Sequence, residues 1–224
     1  MRTTEQKRQK LRKLAQRRQA HRLRPHACLA DFHSGFYECK HVSPWSISAG
    51  NVDAEVMIIG KDWASSDTLE KEPDEDRRRL GQHYSSPTNI NLRKFLGHMG
   101  LEFSETYATN VFPFIKLGSK TAYIKPFCDV VSCARTYTLP QIKIVSPRMA
   151  ICLGKDAFRA ICRAAELRPK EWSKARLPRI CMNSVEIYGL PHPASRGRKD
   201  AEARSWSLLG RRLQHLRKQD NHRS

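Results

Sequence analysis

Four short apolar segments, separated by helix-like patterns, constrain the fold of this chain more than any other feature. They cover residues 54–60, 106–113, 148–154 and 185–193, and each contains a glycine, proline or asparagine at or near its end. Segments this short and this continuously apolar are typical of strands in a parallel sheet that is covered on both faces. The sequence therefore predicts a central sheet whose strands are all buried.

Helix-like patterns lie between and after these segments, at residues 89–99, 155–167 and 200–219. In the first of them Leu92, Phe95 and Leu96 fall on one side, as helical periodicity requires. Alternation of strands and helices favours a single α/β domain. We predict a three-layer α/β/α sandwich with a central four-stranded, mostly parallel sheet.

The composition is that of a basic globular protein. The chain has 224 residues, 39% of them hydrophobic, and a formal net charge of +19. No apolar run approaches the roughly 20 residues that span a bilayer, so no membrane association is expected. The sequence shows no secretion signal, which favours a cytoplasmic location, or a nucleoid-associated one if the protein is bacterial. So large a positive charge indicates a polyanionic partner, above all nucleic acid.

The charge is concentrated near the N-terminus, where residues 2–24 hold ten Lys or Arg and one acid, Glu5. Such a segment is typical of a solvated basic helix or arm that lies along phosphates. A transit peptide would also be rich in arginine, but it would carry more serine and a clearer apolar face. We therefore predict a basic N-terminal helix or arm over residues 1–25 and a globular domain over residues 26–224.

Polar and charged residues stand where the predicted strands end. Ligands of such sheets bind beyond the carboxyl ends of the strands, so these residues are expected to share one rim. They are Gly60, Lys61, Asp62 and Trp63 after the first strand, Asn110 in the second, and His192, Ser195, Arg196 and Arg198 after the fourth. A carboxylate, a carboxamide and an imidazole on one rim of a basic protein favour an active site.

Four segments give the chain a resemblance to the uracil-DNA glycosylase superfamily: "GKDWAS", "ATNVFP", "PRMAICLGKDAF" and "LPHPASRGR". Their order and spacing resemble the family pattern from about residue 54 to 200. "GKDW" is similar to the Gly-x-Asp of the classical uracil enzymes, although Trp63 and Ala64 replace their Pro-Tyr pair. The resemblance implies the sandwich fold and a monofunctional glycosylase that removes uracil from DNA during base excision repair.

The chemistry of glycosidic cleavage suits the two residues expected to be catalytic. Cleavage places positive charge on the sugar and negative charge on the departing base. Asp62 is expected to orient the attacking water and to stabilise the oxocarbenium-like sugar. His192 is expected to donate a hydrogen bond to the base oxygen that gathers charge.

The remaining residues of the predicted site are expected to bind the base and the strand. Asn110 offers a donor and an acceptor, which fit N3–H and O4 of uracil but not the reversed pattern of cytosine. Tyr84 lies eight residues before Leu92, the spacing of the stacking aromatic in the iron–sulfur members of the superfamily. The predicted base contacts are Gly60, Lys61, Trp63, Tyr84 and Asn110, and the predicted phosphate contacts are Ser195, Arg196, Arg198 and Lys116.

Seven cysteines raise the question of a metal site, because some relatives carry an iron–sulfur cluster. Those relatives carry a close pair of cysteines near the N-terminus and another cysteine soon after the strand that bears the Asn. Here the two N-terminal cysteines, Cys28 and Cys39, are far apart in sequence, and Phe114 stands where the next cysteine is expected. Only Cys133 lies near the position of a fourth ligand. The odd total and the missing secretion signal also argue against a disulfide framework. We predict no metal, no cluster and no other cofactor.

Two alternatives stay open beside the uracil enzyme. One is a glycosylase of broader or different deaminated-base specificity, because the Tyr that excludes the thymine methyl in the classical enzymes is replaced. The other is a non-enzymatic nucleic-acid-binding protein on the same fold. The expected partner in each case is DNA, and the chain is expected to act as a monomer.

Overall fold

The structure is a computed structural model that describes residues 2–172, 177–195 and 199–221. Its strands are β1 (Val56–Asp62), β2 (Tyr107–Phe112), β3 (Met149–Leu153), β4 (Lys170–Trp172), β5 (Leu177–Met182) and β6 (Val185–Leu190). Its α-helices are α1 (Thr4–Ala20), α2 (Ser66–Leu69), α3 (Glu75–Leu80), α4 (Pro87–Gly97), α5 (Phe127–Cys133), α6 (Leu139–Val145), α7 (Lys155–Ala164) and α8 (Lys199–Asn221). Short 3₁₀ turns include Pro44–Ile47, and a π-helical turn, Ala134–Thr138, joins α5 to α6.

One six-stranded sheet organises the chain in the order β2-β1-β3-β6-β5-β4. The four strands predicted from the sequence are its parallel part, because β1 pairs with β2 and β3, and β3 pairs with β6, all in parallel. The predicted α/β sandwich is thereby confirmed. The carboxyl ends of these four strands share one edge of the sheet.

Both faces of the sheet are covered by helices, which explains the continuous apolar strands. In β1, Met57 and Ile59 join a cluster that includes residues of α5, α6 and α7, whereas Val56 and Ile58 face the opposite way. The second cluster includes residues of α4 and α8, whose Phe95 and Trp206 rings stack with centroids 5.7 Å apart. The protein core therefore consists of two apolar layers with the sheet between them.

Two strands, β4 and β5, were not predicted from the sequence. They extend the sheet beyond β6 in antiparallel fashion. β5 buries Leu177 and Ile180 but leaves Pro178 and Cys181 exposed. A strand near the edge of a sheet needs no continuous apolar run, so its sequence lacks the signal that marked the four central strands.

The basic N-terminal helix α1 packs against the domain along one side. Leu11 and Leu14 contact the first apolar cluster, where Ala15 is buried. Arg18 continues the same stripe one turn later and is 0% exposed. Because an arginine occupies this buried stripe, the helical periodicity is hidden in the sequence, from which a solvated helix or arm was predicted. No helix within the described residues has the length and hydrophobicity that a membrane crossing requires.

Arg18 anchors α1 through a set of charge-assisted hydrogen bonds. Its guanidinium donates to Glu38 Oε2 at 2.8 Å and to the backbone oxygens of Cys39 and His41 at 2.9 and 2.8 Å. We expect Arg18→Ala to lower the free energy of unfolding by about 3 kcal/mol, because it leaves buried acceptors unpaired. Urea denaturation measures this loss. The matched change Arg17→Ala, on the exposed side of α1, should alter it by less than about 0.5 kcal/mol. Equal effects of the two changes would contradict the anchoring role.

Candidate active site

A cleft with a volume of about 320 Å³ opens at the carboxyl edge of the parallel strands. β1 delivers Gly60, Lys61 and Asp62 to it, and the segment after β6 delivers His192. Residues far apart in the sequence thus meet in one cleft because parallel strands end on the same edge. Trp63 and Lys116 also line this cleft.

Asp62 is the last residue of β1 and stands beside Phe112 in the strand register. Its side chain is 14% exposed and lies between two ammonium groups. Lys116 Nζ is 3.2 Å from Oδ1, and Lys61 Nζ is 3.7 Å from Oδ2. The carboxylate is therefore held in the cleft by charge on both of its oxygens.

Lys116 lies inside the protein, not on the exposed surface where a phosphate contact was predicted. The residue is 4% exposed, and its ammonium also donates to the backbone oxygen of Lys120 at 2.6 Å. Its backbone is joined to the segment after β1, because Ser66 N–H donates to Lys116 O at 2.9 Å. Lys116 thus lines the carboxylate side of the cleft, with its backbone fixed.

Asn110 lies behind the floor of the cleft and not in its lining. The register of the sheet sets it beside Gly60, and a Cβ at Gly60 would stand 2.6 Å from Asn110 Nδ2. Asn110 is 0% exposed, its Oδ1 accepts from Ser43 Oγ at 2.6 Å, and its Nδ2 has no hydrogen-bond partner among the residues that the structure describes. A buried amide donor left unpaired is costly, so this group is a candidate for binding an acceptor on a ligand.

His192 also lines the cleft, at the start of a tight turn that Ser195 N–H closes by donating to His192 O at 2.7 Å. Gly154, after β3, is its neighbour: a Cβ at that glycine would lie 3.6 Å from His192 Cβ, an ordinary contact distance. The backbone N–H of Ala194 donates to His192 Nδ1 at 3.2 Å. In the neutral ring Nδ1 is then the acceptor, so the proton is carried by Nε2.

The charge state of His192 follows from its surroundings. Although the residue is exposed, partial displacement of water by neighbouring protein atoms lowers its pKa from the usual 6.5. The Asp62 carboxylate opposes this shift, whereas nearby lysines, Lys61 among them, reinforce it. His192 is therefore neutral at pH 7, with Nε2–H as its free donor.

Side chains of α4 and α8 hold the turn that follows His192. Asn91 donates to Pro193 O at 2.8 Å, and Lys199 donates to the same oxygen and to Ser195 O. Ser195 Oγ donates to the buried carboxylate of Glu202 at 3.0 Å, so this hydroxyl already has a partner. The other two predicted phosphate contacts of this segment, Arg196 and Arg198, lie outside the described residues.

Three aromatic residues surround the cleft in different ways. Trp63 lines it and is fixed by its Nε1–H, which donates to Gly81 O at 2.8 Å. Trp45 also lines it and lies close to Gly60. Tyr84 is not in the lining: the residue is 55% exposed, and the Arg93 guanidinium lies 3.7 Å from the centroid of its ring.

Several residues of the cleft were missed by sequence reasoning. Trp45, on the 3₁₀ turn before β1, and Lys120, after β2, line the cleft, and Ser43, the N-cap of that turn, lies behind it against Asn110. None of them stands at a strand end, which was the signal used to find the others. The dense lysines of residues 116–125 were the only local indication of Lys120.

The cysteines do not fit an iron–sulfur cluster. Among residues 2–172, 177–195 and 199–221, no three His, Cys, Asp or Glu side chains are grouped as a metal site. Phe114, which stands at the place of a cluster ligand, is buried in the first apolar cluster and offers no ligand atom. No step of the chemistry below involves such a group.

Comparison with known proteins agrees with this geometry. No individual curated protein matches the chain. The family described as the uracil DNA glycosylase superfamily matches it over residues 47–216, a range that contains Asp62, Asn110 and His192 and covers most of the sequence. With its sandwich fold and a carboxylate and an imidazole in one cleft at the strand ends, the chain belongs to the uracil DNA glycosylase superfamily.

Proposed function

We propose that the protein hydrolyses the N-glycosidic bond of uracil in DNA. The observation that carries this proposal is the meeting of Asp62 and His192 in one cleft, although β1 and β6 are distant in the sequence. Membership of the superfamily supports the coarser statement, a DNA glycosylase that acts in repair. The cation-rich cleft and the net charge of +19 suit a DNA substrate.

In this proposal Asp62 acts at the sugar. The carboxylate accepts a hydrogen bond from the attacking water and orients it towards C1′. As the bond to the base breaks, positive charge grows on the sugar, and the negative charge of Asp62 stabilises it. The water supplies the oxygen of the new C1′–OH, so no covalent enzyme intermediate is required.

His192 acts at the base. Its Nε2–H donates to the carbonyl oxygen on which the leaving base collects negative charge. The donor is preorganised because Ala194 N–H holds the other ring nitrogen. A fixed donor stabilises the transition state more than a mobile one, since little reorganisation is needed.

Base recognition is assigned to Asn110 and the glycine in front of it. Ser43 occupies Oδ1 of Asn110, which leaves the unpaired Nδ2–H₂ donor near Gly60 on the cleft floor. A donor pairs with a carbonyl, such as O4 of uracil, and is mismatched with the amino group of cytosine. This single donor makes no contact with N3–H of the base. The Asn110 donor therefore also favours a second candidate function, a glycosylase that accepts other deaminated bases with a carbonyl at this position, such as hypoxanthine.

Contacts to the rest of the nucleotide follow from the walls of the cleft. We assign base stacking to Trp63, whose ring lines the cleft, and an outer contact with the strand to the exposed Tyr84. Lys61 also lines the cleft, and Ser195, Arg196 and Arg198 stay proposed phosphate contacts. Such contacts offset the few kcal/mol that flipping a nucleotide out of a duplex costs.

Release of uracil from a labelled single-stranded oligonucleotide tests the proposal, with alkaline cleavage of the abasic product as the readout. Parallel substrates carry hypoxanthine, xanthine, thymine or cytosine. Release of uracil supports the uracil enzyme, and additional release of hypoxanthine supports the broader candidate. No release of any base at low salt would leave a DNA-binding protein without this activity.

The role of Ser43 gives a prediction about specificity. Ser43→Ala frees the Asn110 amide to rotate, so kcat/KM for uracil should fall about tenfold, the effect of one neutral hydrogen bond. Discrimination against cytosine should fall too. The control is Ser46→Ala, because Ser46 is equally buried but donates to Ala108 O. Single-turnover rates on both substrates measure the effect, and identical results for the two variants would refute the orienting role.

A further inference from the structure

Lys116 is a buried cation that hydrolysis of the glycosidic bond does not use. Its ammonium lies 3.2 Å from Asp62 Oδ1, and its side chain is 5% exposed. A positive charge at this distance opposes the stabilisation of a cationic sugar by Asp62. Because Lys116 does not help the hydrolysis, we looked to the reaction that can follow base release for a role of this amine.

We propose that Lys116 reacts with the abasic sugar that base release produces, forming an imine and cleaving the strand by β-elimination. This inference rests on the proposed function, since base release makes the substrate. Once the base has gone, the sugar equilibrates with an open-chain aldehyde at C1′. A lysine amine is the side chain that condenses with carbonyl groups.

The position of Lys116 suits this reaction. In the proposed hydrolysis Asp62 is one water molecule from C1′, and Lys116 touches the same carboxylate. The backbone of Lys116 is fixed by a bridge to Ser65 and by the hydrogen bond from Ser66 N–H. Lys61 is farther from the carboxylate and more exposed, with 25% of its side chain open to solvent.

The proposed reaction proceeds in balanced steps. The ammonium first passes its proton through the Asp62 carboxylate to water. The free amine then adds to C1′, and loss of water leaves a protonated imine. The imine acidifies the C2′–H bond, whose proton goes to Asp62. The electron pair of the C2′–H bond forms the C2′–C3′ double bond as the C3′–O bond breaks. The 3′-phosphate departs with the electrons of the C3′–O bond.

Water finally adds to the imine carbon, which releases the unsaturated aldehyde and restores the amine of Lys116. The complete sequence consumes no oxidant or reductant, because the water lost in forming the imine is returned in its hydrolysis. The proposed strand cleavage goes beyond the monofunctional reaction predicted from the sequence.

Borohydride trapping tests the proposal directly. The full-length protein is mixed with an oligonucleotide that already contains one abasic site, so base release is bypassed. Hydride transfer from borohydride to the imine carbon gives a stable secondary amine. We expect a covalent protein–DNA adduct, located at Lys116 by peptide mass spectrometry, and strand cleavage when borohydride is omitted.

Two lysine variants complete the experiment. Lys116→Arg retains a cation beside Asp62 but cannot form an imine, so the adduct should be lost. Binding of this variant to the abasic oligonucleotide is measured separately. Lys94→Arg, an exposed change on α4, should keep the adduct. Absence of an adduct with the bound wild-type protein, or an adduct at Lys61 or Lys120 instead, would overturn the proposal. Adduct formation without uracil release by the same protein would overturn the proposed function and leave this inference standing.

Discussion

Asp62→Asn should lower kcat for uracil release by about 10³-fold, in the range expected when a positioned general base is lost. The asparagine amide retains the size of the side chain, but it carries no negative charge to stabilise the sugar and is a poor acceptor for the proton of the attacking water. Binding of the oligonucleotide should persist, because the substitution removes a negative charge from the cleft and leaves the cations Lys61 and Lys116 in place. Single-turnover excision and a separate binding titration measure the two effects.

Asp156→Asn is the matched control for this change. Asp156 also lies close to Lys61, with its carboxylate 3.5 Å from Nζ, but it does not line the cleft. It therefore loses the same charge beside the same lysine without touching the proposed reaction centre. An Asp62→Asn enzyme that retained a tenth or so of wild-type activity, or a comparable loss in Asp156→Asn, would contradict the role given to Asp62.

His192→Ala should slow uracil release by about 10²–10³-fold, the usual effect of removing one preorganised donor to a developing oxyanion. The loss should fall on kcat more than on KM, because the donor matters most when the leaving base carries charge. His192→Asn, whose amide can still donate, should retain more activity than the alanine variant. Equal activities of the two variants would argue against a hydrogen bond from this position.

The pH dependence provides an independent check on His192. Its pKa is lowered from 6.5, chiefly by the displacement of water, so the neutral ring predominates at and above pH 6.5. Protonation below that pH adds a proton at Nδ1 and removes the acceptor that Ala194 N–H uses. We therefore expect kcat for wild type to show no acid limb due to His192 above pH 6.5. An acid limb centred above 6.5 that disappears in His192→Asn would contradict this assignment.

The parallel part of the fold was predictable from the sequence because strands buried on both faces consist of continuous apolar residues. A strand such as Met149–Leu153 is buried throughout, so its apolar run is visible without any tertiary information. β4 and β5 contain no such apolar run, because β4 has only 3 residues and β5 is only half buried. The packing of α1 was also hidden, because a buried arginine, Arg18, takes a place where an apolar residue is expected.

Placement of Asp62 and His192 on one rim followed from topology alone. Parallel strands connected by helices must end on the same edge, so residues at the ends of β1 and β6 are neighbours however far apart they are in sequence. What these residues do there stays a proposal for the experiments above.

Orientation within the site was decided by the tertiary structure. The sequence showed that Asn110 offers a donor and an acceptor, but the contact with Ser43 leaves the donor unpaired. It showed a cation at Lys116, but burial against Asp62 turned an expected phosphate contact into a partner of the carboxylate.

The sequence by itself thus determined the fold class, the edge of the sheet that bears the cleft, and the residue types gathered there. Only the tertiary structure decided which polar atoms of Asn110 and Lys116 are paired and which are unpaired. The physical reason is range: burial and strand direction are encoded in local periodicity, whereas hydrogen bonds and ion pairs depend on contacts of a few ångströms between distant segments.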